Sequence, residues 1–305
     1  MTLTLALVQV LNGLQFGLIL FLIAAGLTIV FGVMDFINLA HGVQYMVGAY
    51  LVAVFSAYTE SFAVGLVLAL CLSLALGLLL EVSVFRHLYG ADYLYQVLAT
   101  FGVIVFVDHT LKFIFGAAPL SVAIPDILSG TVTIAPGMRY PVYRLVVIAS
   151  GIAVALLCAW MVNRTRLGML VRAGASNAPL VSALGVNIRL LFTVVFGLGA
   201  MLAGFAGALT APILSVEPGI GANVLILAFV VIVIGGVGSI RGSFVAALLI
   251  GLTDTLGRSF APLLLRAVFD PSTASQVGRA LAPMLIYILM AAVLFFRPAG
   301  NLSTR

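Results

Sequence analysis

Charged residues are scarce in this chain: Asp, Glu, Lys and Arg make up 8% of its 305 residues, whereas hydrophobic residues make up 64%. A soluble domain usually carries about 25% charged residues. The shortage excludes an ordinary water-soluble domain and predicts an all-α protein that crosses the membrane several times. The net charge of +5 is assigned to arginines in loops, and no nucleic-acid partner is predicted, because blocks of Lys interleaved with aromatics are missing.

Lysine is almost absent: Lys112, in HTLKFIFG, is the single one in the chain. A phosphate-binding loop of the form GxxxxGK[ST] needs a lysine after its glycines, and Lys112 follows Leu111. This chain therefore has no ATP site of that kind. Any ATPase that drives it is predicted to be another chain.

Metal ligands and catalytic groups are also few. Cys71 and Cys158 lie inside apolar runs without a CxxC pattern, which indicates small buried hydrophobes. Asp108 and His109 are neighbours in sequence, so on a helix they point in different directions and form no relay. We predict no metal, no cofactor and no catalytic residue.

The apolar runs predict eight to nine membrane helices in a single domain over 1–305, because a spanning helix needs about 20 mostly apolar residues. Two runs are short and adjoin polar or glycine-rich stretches, which indicates broken helices. The N-terminus lacks a basic region and a cleavage site, so it is interpreted as the start of a helix. The candidate spans are 8–33, 43–58, 62–85, 97–116, 142–161, 189–211, 223–236, 243–260 and 281–297.

Arginines orient the chain. Segment 163–188 is basic, and basic residues beside membrane spans favour the cytoplasmic side. This assignment places the C-terminus in the cytoplasm and puts 117–141 and 266–280 outside. Segment 117–141 has short alternating stretches around a Ser-Gly turn, which predict a small hairpin. These outer loops are interpreted either as docking sites for a soluble partner or as plain connectors.

The basic segment carries the signals of a short helix. Ser176 or Asn177 suits the N-cap, Pro179 the first turn and Gly185 the stop. A helix this short is not stable alone, so it packs either on the rest of the chain or on a cytoplasmic partner. Its arginines are Arg164, Arg166 and Arg172, and its predicted apolar face is Leu180, Val181 and Leu184.

Polar residues interrupt the hydrophobic run at 32–50, GVMDFINLAHGVQYMVGAY. Polar groups at membrane depth are tolerated where they face a cavity or where the backbone is broken. Asn38, His41 and Gly42 are therefore candidates for lining a solute path or shaping a break. The alternative is an ordinary cytoplasmic turn with His41 at its edge.

Glycines cluster at 231–252, VIVIGGVGSIRGSFVAALLIGL. Each would cost a helix roughly 1 kcal/mol in propensity, yet together they permit a tight reversal and close helix approach. The segment is a second candidate break along a path, or a packing turn. The residues in question are Gly235, Gly236, Gly238, Ser239 and Gly242.

Three segments together resemble one family. They are GLTIVFGVMDFINLAHGVQYMVGAY (26–50), RTRLGMLVRAGASNAPLVSALGVNI (164–188) and AFVVIVIGGVGSIRGSFVAALLIGL (228–252). The chain resembles the inner-membrane permease of branched-chain amino acid ABC importers, in the subtype with an "NxAHG" segment. The similarity extends in order over nearly the whole chain, to FRPAG at 296–300.

The resemblance implies partners and a fold. It implies a second homologous permease, two cytoplasmic ATPase subunits and a periplasmic solute-binding protein in a bacterial inner membrane. It also implies a fold like that of type II-like importers, whose broken helices line the path, and a coupling role for Arg164–Gly185. The chain departs from many relatives in lacking acids near Ser176 and Asn177 and in having Asp35.

Three alternatives remain open. The same family also serves urea and short amides, and a permease sequence seldom decides the solute. A secondary transporter or channel working alone is disfavoured because such proteins keep intramembrane carboxylates, which are few here. An intramembrane enzyme is also disfavoured, because it would need a nucleophile–base pair or a metal cluster and neither is visible in the sequence.

Overall fold

The computed structural model describes residues 3–135 and 138–296 as a helical bundle with one small hairpin. Phe85–Leu88 and Asp126–Leu128 form short 3-10 helices. The strands are β1 Thr131–Ala135 and β2 Met138–Pro141. The helices are α1 Leu3–Met34, α2 His41–Thr59, α3 Phe62–Ser83, α4 Tyr93–Phe115, α5 Val142–Arg164, α6 Arg166–Ala183, α7 Ile188–Thr210, α8 Ile220–Gly235, α9 Ile240–Leu265 and α10 Pro271–Phe296.

Each predicted span corresponds to one helix. Within the described ranges, seven helices are long and apolar enough to cross a membrane, and the shorter apolar α8 follows α7. The seven are α1, α3, α4, α5, α7, α9 and α10. These helices confirm the predicted all-α polytopic membrane fold. The predicted number of eight to nine membrane helices is approximately right.

The predicted outer loop at 266–280 is wrong in extent, because α10 begins at Pro271. Asp270 Oδ2 accepts hydrogen bonds from the Ser272 hydroxyl and from the backbone N–H of Ser272 and Thr273. These hydrogen bonds hold the pKa of Asp270 well below its usual range, and the bond from the Ser272 hydroxyl has the largest effect. An acidic cap followed by Pro at the first position is a helix start, so the connector shortens to a few residues.

Helix α1 is the centre of the bundle, and every residue from Gly17 to Val30 is buried. Glycines let its neighbours approach at backbone distance, as is usual in membrane interfaces. A Cβ added at Gly17 would lie 2.8 Å from the Ala247 carbonyl of α9, and one at Gly26 would lie 2.7 Å from the Gly199 carbonyl of α7. Helices α7 and α9 therefore pack closely against α1 on two of its faces.

The bundle has two distinguishable ends. At the hairpin end, β1 and β2 pair antiparallel, and Asn12 Oδ1 accepts hydrogen bonds from Tyr140 at 3.0 Å and Arg144 at 2.8 Å. The other end, the basic end, carries α6, whose Gly174 lies against Val33 and Leu191. Helix α1 thus runs from the hairpin end to the basic end.

The prediction that both cysteines are buried is wrong for Cys71, which is exposed, and right for Cys158. Helix α3 buries only one narrow stripe against its neighbours, and Cys71 lies off that stripe. A uniformly apolar helix gives no periodic signal for which face is buried. The buried stripe is Gly65, Ala69, Ser73, Gly77 and Glu81.

Candidate functional site

The chain folds back on itself between α1 and α2. After Met34 it turns at Asp35, whose φ of 48° is left-handed, and α2 begins only at His41. His41 Nε2 donates to the Ile23 carbonyl at 3.0 Å. Ile23 lies more than ten residues before the end of α1, so residues 35–40 run alongside α1, and α2 starts deep within the bundle.

Helix α8 also starts at this depth. Its N-cap, Gly219, has a φ of 87°, a conformation that glycine adopts without strain. A Cβ added at Gly42 would collide with the Gly221 carbonyl, and the reverse addition would collide with the Gly42 carbonyl. The N-terminal turns of α2 and α8 therefore meet backbone to backbone. We call this meeting point the helix-end junction.

A cavity of about 150 Å³ opens beside the helix-end junction. Helix α4 forms its third wall with Ile104, Val105, Asp108 and His109. Pockets that bind small molecules are mostly apolar with a few placed polar groups, and this lining has that character. The remaining lining residues are Leu39, Gly42, Val43, Met46, Gly219, Gly221, Ala222 and Leu225.

The start of α2 buries polar side chains with little compensation. Asn38 and His41 are 0% exposed and Gln44 is 1% exposed. Asn38, Gln44 and His41 Nδ1 lack a hydrogen bond within the described parts of the chain. Buried polar groups nearly always have a hydrogen bond, so these three side chains lower the stability of the folded chain at the break.

The connector 35–40 is held from α4. Gln96 Oε1 accepts from the Ile37 N–H at 3.1 Å, and Tyr93 donates to Asp35 Oδ2 at 2.8 Å. Asp35, the departure noted in the sequence, thus ties the turn to the first residue of α4.

The glycine-rich segment lies elsewhere, at the basic end. Gly236 and Gly238 adopt φ values of 88° and 76°, and Ser239 caps α9 by accepting from the Gly242 N–H at 3.0 Å. Gly235 and Gly242 touch backbone to backbone. The segment is a tight reversal between α8 and α9, and its contribution to a path stays a prediction.

Helix α6 covers the basic segment and is longer than the predicted short helix. It has a non-helical residue at Asn177 (φ −159°, ψ 86°), and Asn177 Oδ1 accepts from the Leu180 N–H at 3.0 Å. Asn177 is therefore the N-cap of a second helical piece, and Gly185, with φ 88°, follows its end. The first piece, from Arg166, was predicted only as polar loop.

The predicted apolar face of this second piece is divided. Val181 is 7% exposed, whereas Leu180 is 57% and Leu184 77% exposed. Val181 packs inward and the two leucines, four residues apart, share an outward face. Arg172 donates to the Val162 carbonyl at the end of α5.

A buried carboxylate supports this end of the bundle. Glu81 is 0% exposed and accepts from Arg86 at 3.0 Å and from Thr193 and Tyr89 at 2.8 Å. Burial of the Tyr89 hydroxyl, and to a smaller extent its hydrogen bond to Glu81, raises the pKa of Tyr89 well above its usual range. Tyr89 therefore keeps its proton and donates a hydrogen bond to Glu81. The sequence showed Glu81 beside Arg86; Thr193, on α7, could not be paired with it from spacing.

Metal ligation finds no support in the described ranges: they hold no group of three or more His, Cys, Asp or Glu side chains arranged to bind a metal ion.

The fold and the helix-end junction define a multi-pass membrane protein with two helices that begin inside the bundle, an arrangement found in transport proteins. The chain belongs to the family described as branched-chain amino acid transport system / permease component, whose profile matches residues 9–295. This membership confirms the resemblance seen in the sequence and assigns the chain to transport subunits.

Two curated relatives are similar in sequence to this chain over most of its length. It is 28% identical over 311 residues to the high-affinity branched-chain amino acid transport system permease protein BraD of Pseudomonas aeruginosa, covering 97% of this chain and 95% of the relative. It is 27% identical over 267 residues to the corresponding protein LivH of Escherichia coli K12, covering 83% and 86%. No solved structure matches the chain significantly.

Proposed function

We propose that this chain is the permease subunit of an ATP-driven importer of branched-chain amino acids in a bacterial inner membrane. Family membership and the names of the relatives support the solute class. The chain's lack of a phosphate-binding loop supports ATP hydrolysis on partner subunits. A solute-binding protein and a second homologous permease complete the assembly, with two ATPase subunits.

Helix α6 is the observation that carries the coupling proposal. Leu180 and Leu184 expose most of their surface at the end of the bundle that is richest in arginine. A rigid, capped helix with an outward apolar pair suits a groove on a partner protein. The arginines place this end in the cytoplasm, where the ATPases reside.

The same orientation supports a cytoplasmic location for the last described turn of α10. Helix α10 runs antiparallel to α9, since Gly278 packs on Pro262 and Gly257 packs on Leu285 and Ala282. Because α9 begins at the basic end, α10 finishes there. The hairpin end then faces the binding protein.

Within the bundle, solute passes the helix-end junction. ATP-driven closure of the ATPases moves α6, and α6 packs on α5 and on α1 through Gly174 and Val33. Asn38, His41 and Gly42 form the first break of the path, and the α8–α9 turn is a hinge at its inner end. Arg164, Arg166 and Arg172 orient the docking helix on the ATPase.

A double substitution tests the coupling. The variant Leu180→Asp with Leu184→Asp should lose co-purification with the ATPase and at least about 90% of ATP-driven leucine uptake, because two charges would enter an apolar contact. Ser182→Asp, which adds a charge to the opposite face of the same helix, is the matched control. Uptake and ATPase binding that survive the double substitution would contradict the proposal, as would uptake by this chain alone in liposomes.

A further inference from the structure

An ion pair stands at membrane depth in the wall of the cavity. Asp108 Oδ2 bonds to Lys112 at 2.8 Å, and the Asp108 side chain is 17% exposed. Its other oxygen, Oδ1, is buried and has no hydrogen bond among the described residues. Charged groups inside a membrane are costly and usually face a cavity or a partner group. One oxygen of this carboxylate, beside the cavity, is therefore a buried acceptor without a donor among the described residues.

The opposite wall of the cavity has the complementary polarity. The first N–H groups of a helix have no partner within it, and the helix dipole makes this end electropositive. Gly42 on α2 and Gly221 on α8 bring two such ends together, and both residues line the cavity. Both glycines are buried, and the absence of a Cβ at each lets the two helix starts touch at the cavity wall.

Apolar side chains fill the space between the two walls. Leu39, Val43 and Met46 come from the α2 side, and Ile104 and Leu225 from α4 and α8. His109 is the other titratable residue in the lining, and it is exposed. The cavity of about 150 Å³ thus has an anionic group, an electropositive group and an apolar region within one small volume.

We propose that this cavity binds a free amino acid as its zwitterion during transport. Asp108 Oδ1 accepts the α-ammonium group, and the N–H groups of Gly42 and Gly221 bind the α-carboxylate. The apolar lining holds an aliphatic side chain. The Asp108–Lys112 pair and the zwitterion are each neutral overall, so loading adds no net charge at membrane depth. The inference rests on the proposed import function and adds to it a site and a reason to reject uncharged amides.

The chain supplies a matched control for Asp108. Asp254 on α9 has the same i,i+4 pairing, with Arg258 Nε 2.8 Å from Oδ2 and a side chain 8% exposed, and its Oδ1 also lacks a bond within the described ranges. Asp254 is not in the lining of this cavity. A general effect of losing an intramembrane carboxylate would appear equally in Asp108→Asn and Asp254→Asn.

The test measures occupancy directly, so that recognition by the solute-binding protein does not enter. In the assembled permease–ATPase complex in nanodiscs, Cys71 and Cys158 are replaced by Ala and Ile104→Cys supplies a thiol in the cavity wall. Leucine, isoamylamine (no carboxylate), 4-methylpentanoate (no ammonium) and urea are compared as protectants against a small thiol reagent. Leucine should slow labelling at least about tenfold more effectively than the other three, because isoamylamine and 4-methylpentanoate each lack one of the charged contacts and urea lacks both.

Asp108→Asn should abolish protection by leucine, and Asp254→Asn should retain it. Equal protection by leucine in Asp108→Asn and in the parent, or no protection by leucine in the parent, would overturn the inference. Protection by urea in preference to leucine would overturn it as well. The ligand series on the parent needs no change at Asp108, so a misfolded variant would not obscure the result.

ATP-driven leucine uptake by the complete importer is measured alongside. If the parent complex assembles and imports leucine but shows no protection, the cavity proposal fails and the import function stands. If the parent neither binds an ATPase nor imports leucine, the import function itself fails.

Discussion

The two interruptions in the hydrophobic pattern, one at 35–40 and one at 236–239, differ in depth and in chemistry. The first reaches into the second half of α1, where His41 bonds to the Ile23 carbonyl, and it buries polar groups that have no hydrogen bond among the described residues. The second lies at the basic end and is closed by backbone contacts and a serine cap. Similar sequence signals thus give one break at depth and one tight reversal at the basic end, and each of them borders a cavity.

The comparison shows what makes a break suitable for solute. Glycine in both regions allows close approach, and both border a cavity. At the first, two helix N-termini meet at the cavity wall, whereas the second supplies the start of α9 alone. The second is stable packing, which suits a hinge. Substitutions at the first break should therefore impair transport far more than substitutions at the second.

The largest effect is expected for Gly42→Val. The added side chain meets the Gly221 backbone and Leu225, and neither can move without displacing α8. We expect a destabilisation of about 1–3 kcal/mol and leucine uptake reduced to below about a tenth. Thermal unfolding and uptake in proteoliposomes measure the two effects.

The control is Gly102→Ala on α4, where an added Cβ meets nothing within 4 Å. This change should leave uptake intact and add up to about 1 kcal/mol of helix propensity. Equal behaviour of the two variants would remove the distinction between the helix-end junction and any other helical glycine.

An intermediate effect is expected for His41→Ala. The change removes the hydrogen bond to the Ile23 carbonyl, which keeps its place within helix α1, and the lost bond costs about 0.5–1.5 kcal/mol. Uptake should fall several-fold through loss of the α2 start position. His87→Ala, at an exposed histidine of the connector before α4, is the comparison, and a matching loss of uptake there would count against a specific role for His41.

The smallest effect is expected for Ser239→Ala at the glycine-rich turn. Losing the cap on Gly242 should cost about 0.5–2 kcal/mol of stability, with uptake unchanged within about twofold. A loss of uptake as large as that of Gly42→Val would show that the second interruption also lines the path.

The sequence predicted the helices well because membrane length and apolar composition decide them locally. Local capping rules predicted an N-cap at Ser176 or Asn177, which is Asn177 in the structure, and a stop at Gly185, which follows the end of α6. Asp270 with Pro271 would have indicated the start of α10. Contacts between segments far apart in the chain could not be predicted from it, such as Glu81 with Thr193 and Gly42 with Gly221. The exposure of Cys71 could not be predicted either, because it depends on which face of α3 the other helices cover. For the same reason Asp108, seen only beside His109, gave no sign of facing a cavity.

If solute passes the helix-end junction, the thiol of a cysteine at position 222 must be accessible to water, because Ala222 lines the cavity there. In the complete importer without native cysteines, Ala222→Cys is exposed to a charged, membrane-impermeant thiol reagent in nucleotide-free and vanadate-trapped states. The account predicts labelling from the aqueous phase, with rates that differ at least about tenfold between the states, since alternating access opens the site to one side at a time. Complete protection of this thiol in every state would contradict it.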